Sequence, residues 1–224
     1  MGEKLFGFKP SQIDGTERIF SADETIELPD KYTYRPYLPQ VLDQGEQSIC
    51  VPCTVSAYLN WRENLKDGET KDNKISLFDI YKVRTNKGEG MTYKDAFKFL
   101  RHTGVKSKAG VLKINAYGMI KNIENLRYAL VMNGPCCGAL PVYNMDSDFW
   151  SKKQGDKLMG YHAISIVGYD EEGFFIRNSW GGGFADRGYT HIKNNDMDKM
   201  LEMELLLFLV IVKRVKDIVI IQGA

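Results

Sequence analysis

Long apolar runs are missing from this chain. The longest, residues 205–212, has eight residues, whereas a membrane-spanning helix needs about 20. Residues 1–10 hold no apolar stretch of signal-peptide length. An N-myristoylation signal wants Ser or Thr at position 6, where Phe6 stands. The expectation is a soluble chain with no membrane partner, cytoplasmic by default, with a virion or other non-classical location as the alternative. An excess of one charge is missing too. Lys and Arg number 30 and Asp and Glu 29, a formal net charge of +1. That balance gives no electrostatic reason to expect nucleic acid as a partner.

Cysteine is scarce. Cys50, Cys53, Cys136 and Cys137 are all there are in 224 residues, too few for a disulfide framework. Cys136 and Cys137 are adjacent, which strains a bridge between them. Reduced thiols are expected. A zinc site built on all four is disfavoured, because a vicinal pair is poor tetrahedral spacing. No metal or organic cofactor is expected. Cys50 and Cys53 also form a C-x-x-C around Pro52, which admits a thiol–disulfide oxidoreductase.

The rest of the composition is ordinary for a globular protein, with 43% apolar and 26% charged residues. The length suits one large domain or two lobes sharing a core. Residues 1–34 are polar and broken by Pro10, Gly15 and Pro29, and read as an extended lead-in. Residues 36–45 also read as extended and end in a turn.

Three helices are legible. One covers 50–65, with Val51, Val55, Tyr58, Leu59 and Trp61 on its apolar face and Ser48 as its cap. Pro52 fits there only because it falls in the first turn. A second covers 92–102, capped by Thr92, with Ala96, Phe97 and Leu100 inward and Gly104 ending it. A third covers 122–133, with Ile123, Leu126, Ala129 and Leu130 inward, stopped by Gly134 and Pro135. Short apolar strands follow at 137–143, 162–169, 173–178 and 189–193, and another at 205–215. Helices first and strands afterwards give α+β.

Cys50 at a helix N-terminus sits at the positive end of the macrodipole, which favours the thiolate. Gln44 and the turn before Cys50 supply neutral donors for an oxyanion. Three histidines occur. His102 and His191 read as solvated, while His162 heads an apolar strand, where an ionisable ring needs a reason. Taken alone, His162 is better read as a structural core residue. Asn178 ends the next strand, and antiparallel neighbours can bring its carbonyl to the imidazole N–H. Trp180 then shields that pair.

Together these motifs resemble the papain-like cysteine peptidases, and most of all bacterial and viral members with a short N-terminal segment. Gln44 precedes Cys50 by six residues, His162 opens a strand ending Val167-Gly-Tyr169, and Asn178-Ser-Trp-Gly181 follows 16 residues after His162. The motif closes with Arg187 to Lys193, and the resemblance spans about residues 29–193. Two departures stand out: Gln47 replaces a disulfide cysteine, and Val51 with Pro52 replaces the usual Trp after the nucleophile.

The resemblance implies a helical lobe (about 48–112), an antiparallel barrel-like lobe (about 113–215 plus a strand at 35–47), and an active-site cleft between them. These make a catalytic domain of residues 35–224, with 1–34 as a pro-like inhibitory segment. It implies peptide hydrolysis by Cys50, with His162 as base and acid, Asn178 as its orienter and Gln44 in the oxyanion hole. Gly90 would bond substrate backbone. Met91, Ala139, Gly160 and Ala163 would line an apolar specificity pocket, with Tyr161 and Trp180 also facing the substrate. A peptide or protein substrate is the expected partner, and a monomer the default. The rival reading is a papain fold that binds peptides without cutting them.

Overall fold

The computed structural model describes residues 6–11, 18–22, 26–68, 70–72, 74–86, 88–108, 110–203, 209–212 and 218–219. In chain order these form β1 (Ile19–Phe20), β2 (Tyr32–Thr33), α1 (Cys50–Asp67), α2 (Leu77–Tyr81), α3 (Tyr93–His102), β3 (Val105–Ser107), β4 (Gly110–Leu112) and β5 (Ala116–Met119). There follow α4 (Ile123–Asn133), β6 (Cys136–Val142), β7 (Gly160–Tyr169), β8 (Gly173–Arg177), β9 (Tyr189–Lys193), α5 (Asn194–Glu202), β10 (Leu209–Val212) and β11 (Ile218–Val219). The α+β expectation holds: helices stand beside a mostly antiparallel sheet.

Helix α1 is buried on nearly every side up to Asn64. Its expected apolar face, Val51, Val55, Tyr58, Leu59 and Trp61, is inside. Its buried polar residues are satisfied locally, as burial requires. Ser56 Oγ donates to the Cys53 carbonyl at 2.7 Å. Asn64 Nδ2 donates to the carbonyls of Tyr37 and Lys71 at 3.1 and 3.0 Å. Gly68, at φ 68°, ends the helix in the left-handed region. Its start differs from expectation. Ile49 holds the cap position with no side-chain bond, because Ser48 Oγ donates to Glu89 at 2.8 Å instead.

Helix α3 is capped by Thr92 as expected, and α4 by Asn122, expected as the first residue of that helix. Thr92 accepts from the Asp95 N–H, and Asn122 from the Asn125 N–H. Ala96, Phe97, Leu100, Leu126, Ala129 and Leu130 are fully buried.

The sheet order is β11-β1-β5-β10-β6-β7-β8-β9, with β2 pairing on β7. β6 is buried along its whole length and pairs with β7 from Cys136↔Ile166 to Val142↔Gly160. β10 lies between β5 and β6, within the expected strand at 205–215, whose other residues are outside the described set. The lead-in is more than an extended tail. β1 joins the sheet, parallel to β5 and antiparallel to β11, and Phe20 is fully buried. The expected strand at 35–47 is instead a 3-10 turn (Arg35–Tyr37) and irregular chain, paired only by an Asp43↔Trp180 bridge.

Candidate active site

The first turn of α1 packs against β7, so that the backbone N–H of Ala163 faces the Cys50 sulfur. His162 immediately precedes Ala163 on β7, the strand against which the helix of Cys50 packs. His162 is fully buried. Its Nε2 lies 2.7 Å from Asn178 Oδ1. The Ser179 N–H donates to the same oxygen at 2.6 Å. A carbonyl oxygen only accepts, so Nε2 carries the proton and Nδ1 carries the lone pair. Asn178 thus fixes the tautomer that leaves Nδ1 basic.

Trp180 covers this pair, its ring 4.7 Å from the imidazole. Phe149 and Phe184 each stand 4.9 Å from Trp180, and Phe149 is 6.0 Å from His162. The sequence reading missed Phe149. It lies between β6 and β7, outside any motif, and no local signal marks it.

Gln44 is buried, with its backbone N–H donating to the Ser179 carbonyl at 2.9 Å. Its Oε1 accepts from Ser179 Oγ at 2.6 Å, and its Nε2 donates to the Gln47 carbonyl at 2.8 Å. The amide is therefore held with its NH2 end toward the turn before Cys50. Arg177 supports this wall from behind. Its guanidinium donates to the carbonyls of Pro39 and Gln40 at 2.9 and 3.0 Å, and to Tyr189 Oη at 2.7 Å. Ser179 and Arg177 were both missed, since each acts through a segment over a hundred residues away.

Burial pushes the Cys50 thiol up to about 11, against the backbone N–H groups of Ala163, Gly7, Val51 and Cys50 itself, which pull it down. The thiolate expected from the helix end alone is thus not favoured while the sulfur is covered. The cover is the chain itself. The Gly7 carbonyl accepts the Met91 N–H at 2.7 Å, Lys9 N–H donates to the Met91 carbonyl at 3.0 Å, and Phe8 N–H donates to the Tyr161 carbonyl at 3.3 Å. Phe6 stands 6.2 Å from Trp180 and 6.5 Å from His162.

Of the residues expected to face substrate, Met91, Tyr161 and Trp180 therefore meet residues 6–9. Gly160 does so as well, since a Cβ there would lie 3.0 Å from Phe6 Cβ. Ala139 and Ala163 are fully buried cross-strand partners. Gly90 offers its N–H to Tyr81 Oη at 3.1 Å, and the backbone holding residues 6–9 is that of Met91, one residue on. Among the described residues no group of three or more His, Cys, Asp or Glu is gathered to hold a metal, and no helix is long and apolar enough to cross a membrane. His191 is half-buried against Asp170, 3.0 Å away, rather than solvated.

A family model described as papain family cysteine protease matches residues 40–207, from just before Gln44 to beyond α5. The chain belongs to the papain family of cysteine proteases. Among curated papain-family relatives, it is 22% identical over 201 residues to a cathepsin L-like proteinase of Fasciola hepatica, covering 75% of this chain and 61% of that one. It is 29% identical over 103 residues to cathepsin B-like CP1 of Giardia intestinalis, covering 42% of this chain and 34% of that one. The chain thus spans less than two thirds of the length of these relatives. Among solved structures, xylellain, a cysteine protease from Xylella fastidiosa, superposes with a TM-score of 0.77 at 23% identity, covering 92% and 95% of the two chains. A procathepsin B from Trypanosoma congolense gives 0.72 at 16% identity, over 91% and 85%. At these identities the likeness is one of fold, the two-lobed papain-like α+β fold.

Proposed function

We propose that this chain is a cysteine peptidase with Cys50 as nucleophile. The observation that carries the reading is the pair of hydrogen bonds on Asn178 Oδ1, from His162 Nε2 at 2.7 Å and the Ser179 N–H at 2.6 Å. A buried imidazole whose tautomer is fixed in this way, on the strand packed against the helix that carries Cys50, suits a base.

In this reading His162 Nδ1 takes the thiol proton as Cys50 Sγ attacks a peptide carbonyl carbon. The tetrahedral oxyanion is held by the Cys50 N–H and by Gln44 Nε2. Collapse breaks the C–N bond, and the imidazolium gives its proton to the leaving amine. A thioester remains on Cys50. Water, deprotonated by His162, attacks it and releases the acid, and the thiol is restored. Trp180 and Phe149 keep water off the His162–Asn178 bond. No step calls for a cofactor. Residues 35–224 form the catalytic domain, and a peptide or protein is the substrate.

The alternative is a papain fold that binds peptides without cutting them, and the covered Cys50 favours it. Labelling with a peptidyl epoxide separates the two. Ring opening by a thiolate leaves a stable thioether on one cysteine. We expect the label on Cys50, with loss of labelling in His162→Ala. Labelling of Cys53, or a rate indifferent to His162, rejects the peptidase.

A further inference from the structure

A groove of about 530 Å³ runs beside the turn that leads to Cys50. One wall is that turn, residues 46–49, and the other is a face of α2 made by Leu77, Phe78 and Tyr81. Glu89 joins the two, because its Oε2 accepts from Ser48 Oγ at 2.8 Å. Helix α2 is fixed in this orientation. Ile80 is fully buried, the Asp79 N–H donates to Ser76 Oγ at 3.3 Å, and Tyr81 Oη accepts the Gly90 N–H at 3.1 Å. Phe78 is thereby held at 73% exposure.

The groove carries a charge that the chain does not balance. Glu46 and Glu89 both line it, and both are exposed. Among the described residues neither meets a Lys, Arg or His at ion-pair distance, although cations occur on the neighbouring chain. Arg84 is spent on the carbonyls of Gly88 and Tyr81, each at 3.3 Å, and lies over the Tyr81 ring at 4.3 Å. Lys82 is taken by Asp79 at 2.5 Å. Two carboxylates thus share a groove with an uncovered aromatic ring. A guanidinium answers both, with forked N–H donors for the carboxylate oxygens and a flat cationic face for Phe78. Ser48 holds one Glu89 oxygen in place, and among the described residues the other oxygen has no donor.

The path of the proton says which part of a peptide reaches this groove. In the reaction above, His162 gives its proton to the leaving amine, so the leaving side of the substrate lies toward His162 and Trp180. Neither residue lines the groove, which adjoins the turn before Cys50 instead. The groove therefore meets the acyl side of the substrate.

We propose that Glu89 and Glu46, with Phe78, select a basic side chain, arginine before lysine, on the acyl side of the scissile bond. The consequence for cleavage rests on the peptidase reading, whereas the attraction of the groove for a guanidinium does not.

The test uses peptidyl aminocoumarin amides carrying one arginine or one citrulline at each of the three acyl-side positions in turn. Citrulline keeps the shape of arginine and loses its charge. At one position arginine is expected to exceed citrulline in kcat/KM by roughly five- to tenfold. Raising the salt from about 0.05 M to about 0.5 M should narrow that ratio. Glu89→Gln should bring it toward one, Glu89→Lys should turn the preference to glutamate, and Phe78→Ala should erase the preference of arginine over lysine. A second readout, fluorescence anisotropy of the same peptides with a dye in place of the coumarin, measures binding to full-length Cys50→Ala without turnover. Turnover with no arginine preference at any position overturns the proposal and leaves the peptidase standing, as does a preference that both Glu89 variants leave unchanged. Preferred binding of an arginine peptide with no turnover in the wild type upholds the groove and rejects the peptidase. No turnover together with equal or absent binding of both peptides overturns both.

Discussion

Ser179 Oγ donates to Gln44 Oε1 at 2.6 Å, while the Ser179 N–H sits on Asn178 Oδ1 at 2.6 Å. One residue therefore orients both the amide proposed for the oxyanion and the amide that orients His162. The two halves of the site, from opposite ends of the sequence, are set relative to each other through Ser179.

Ser179→Ala removes the side-chain bond and keeps the backbone one. Gln44 Oε1 then loses its buried partner, which costs about 1–3 kcal/mol at that site. We expect kcat to fall by roughly tenfold with KM little changed, because an oxyanion donor acts mainly in the transition state. Steady-state kinetics on a fluorogenic peptide checks this. An effect confined to KM contradicts the role given to Gln44.

Asn178→Ala removes the acceptor for His162 Nε2. The imidazole is then free to adopt the other tautomer, with its proton on Nδ1 and no base toward Cys50. We expect kcat/KM to fall by roughly 10–100-fold, while Asn178→Gln recovers little because its carbonyl stands one methylene further out. The melting temperature of Asn178→Ala separates a lost orienter from a lost fold.

Much of this site was legible because its signals are local. Thr92 announces its helix from the position just before it, and the structure uses it as the cap. His162 and Asn178 lie on adjacent strands joined by a short turn, so their meeting follows from chain order. Ser48 looked like a cap by the same local rule, but its hydroxyl found Glu89, a partner 41 residues away. Helix α5 passed unread because Met197 and Leu201 are its only buried apolar residues amid polar ones. The placement of residues 6–9 over Cys50, the support from Arg177 and the shield from Phe149 are tertiary facts. No spacing in the sequence encodes them.

Arg177 is buried and donates to two carbonyls of the segment before Gln44 and to Tyr189 Oη. Arg177→Met keeps the length and loses every donor, leaving the Pro39 and Gln40 carbonyls short of a partner. We expect a stability loss of about 2–4 kcal/mol by denaturant unfolding. A loss of under about 0.5 kcal/mol means that water takes over these carbonyls.

Alkaline pH should destabilise the fold. Burial raises the Cys50 thiol from its ordinary 9.0 to about 11 and the Cys53 thiol to about 12. Above pH 9 the unfolded chain releases these protons while the folded chain retains them. The folded state then binds more protons, so unfolding free energy falls as pH rises through that window and is unaffected below it. Each thiol contributes a slope of up to about 1.4 kcal/mol per pH unit. Urea unfolding at about pH 8 and about pH 10.5 reads the slope, which should be shallower in Cys53→Ala.

Cys50 and Cys53 also allow a direct contest between hydrolysis and redox chemistry. Both thiols are free and buried, and they lie three residues apart at the start of α1. A redox pair needs both sulfurs, with the attacking one as an exposed, lowered thiol. Here burial raises both, and the positive charge of Arg177 only partly offsets the rise at Cys53. Cys53 reads as a small packing residue whose carbonyl already accepts from Ser56 Oγ. Replacing it by Ala removes one buried sulfur, at a cost of about 1 kcal/mol. Peptide hydrolysis should stay within roughly twofold of wild type in Cys53→Ala and be lost in Cys50→Ala. Equal loss in the two variants, together with a Cys50–Cys53 disulfide that forms reversibly in a glutathione buffer, decides instead for the oxidoreductase.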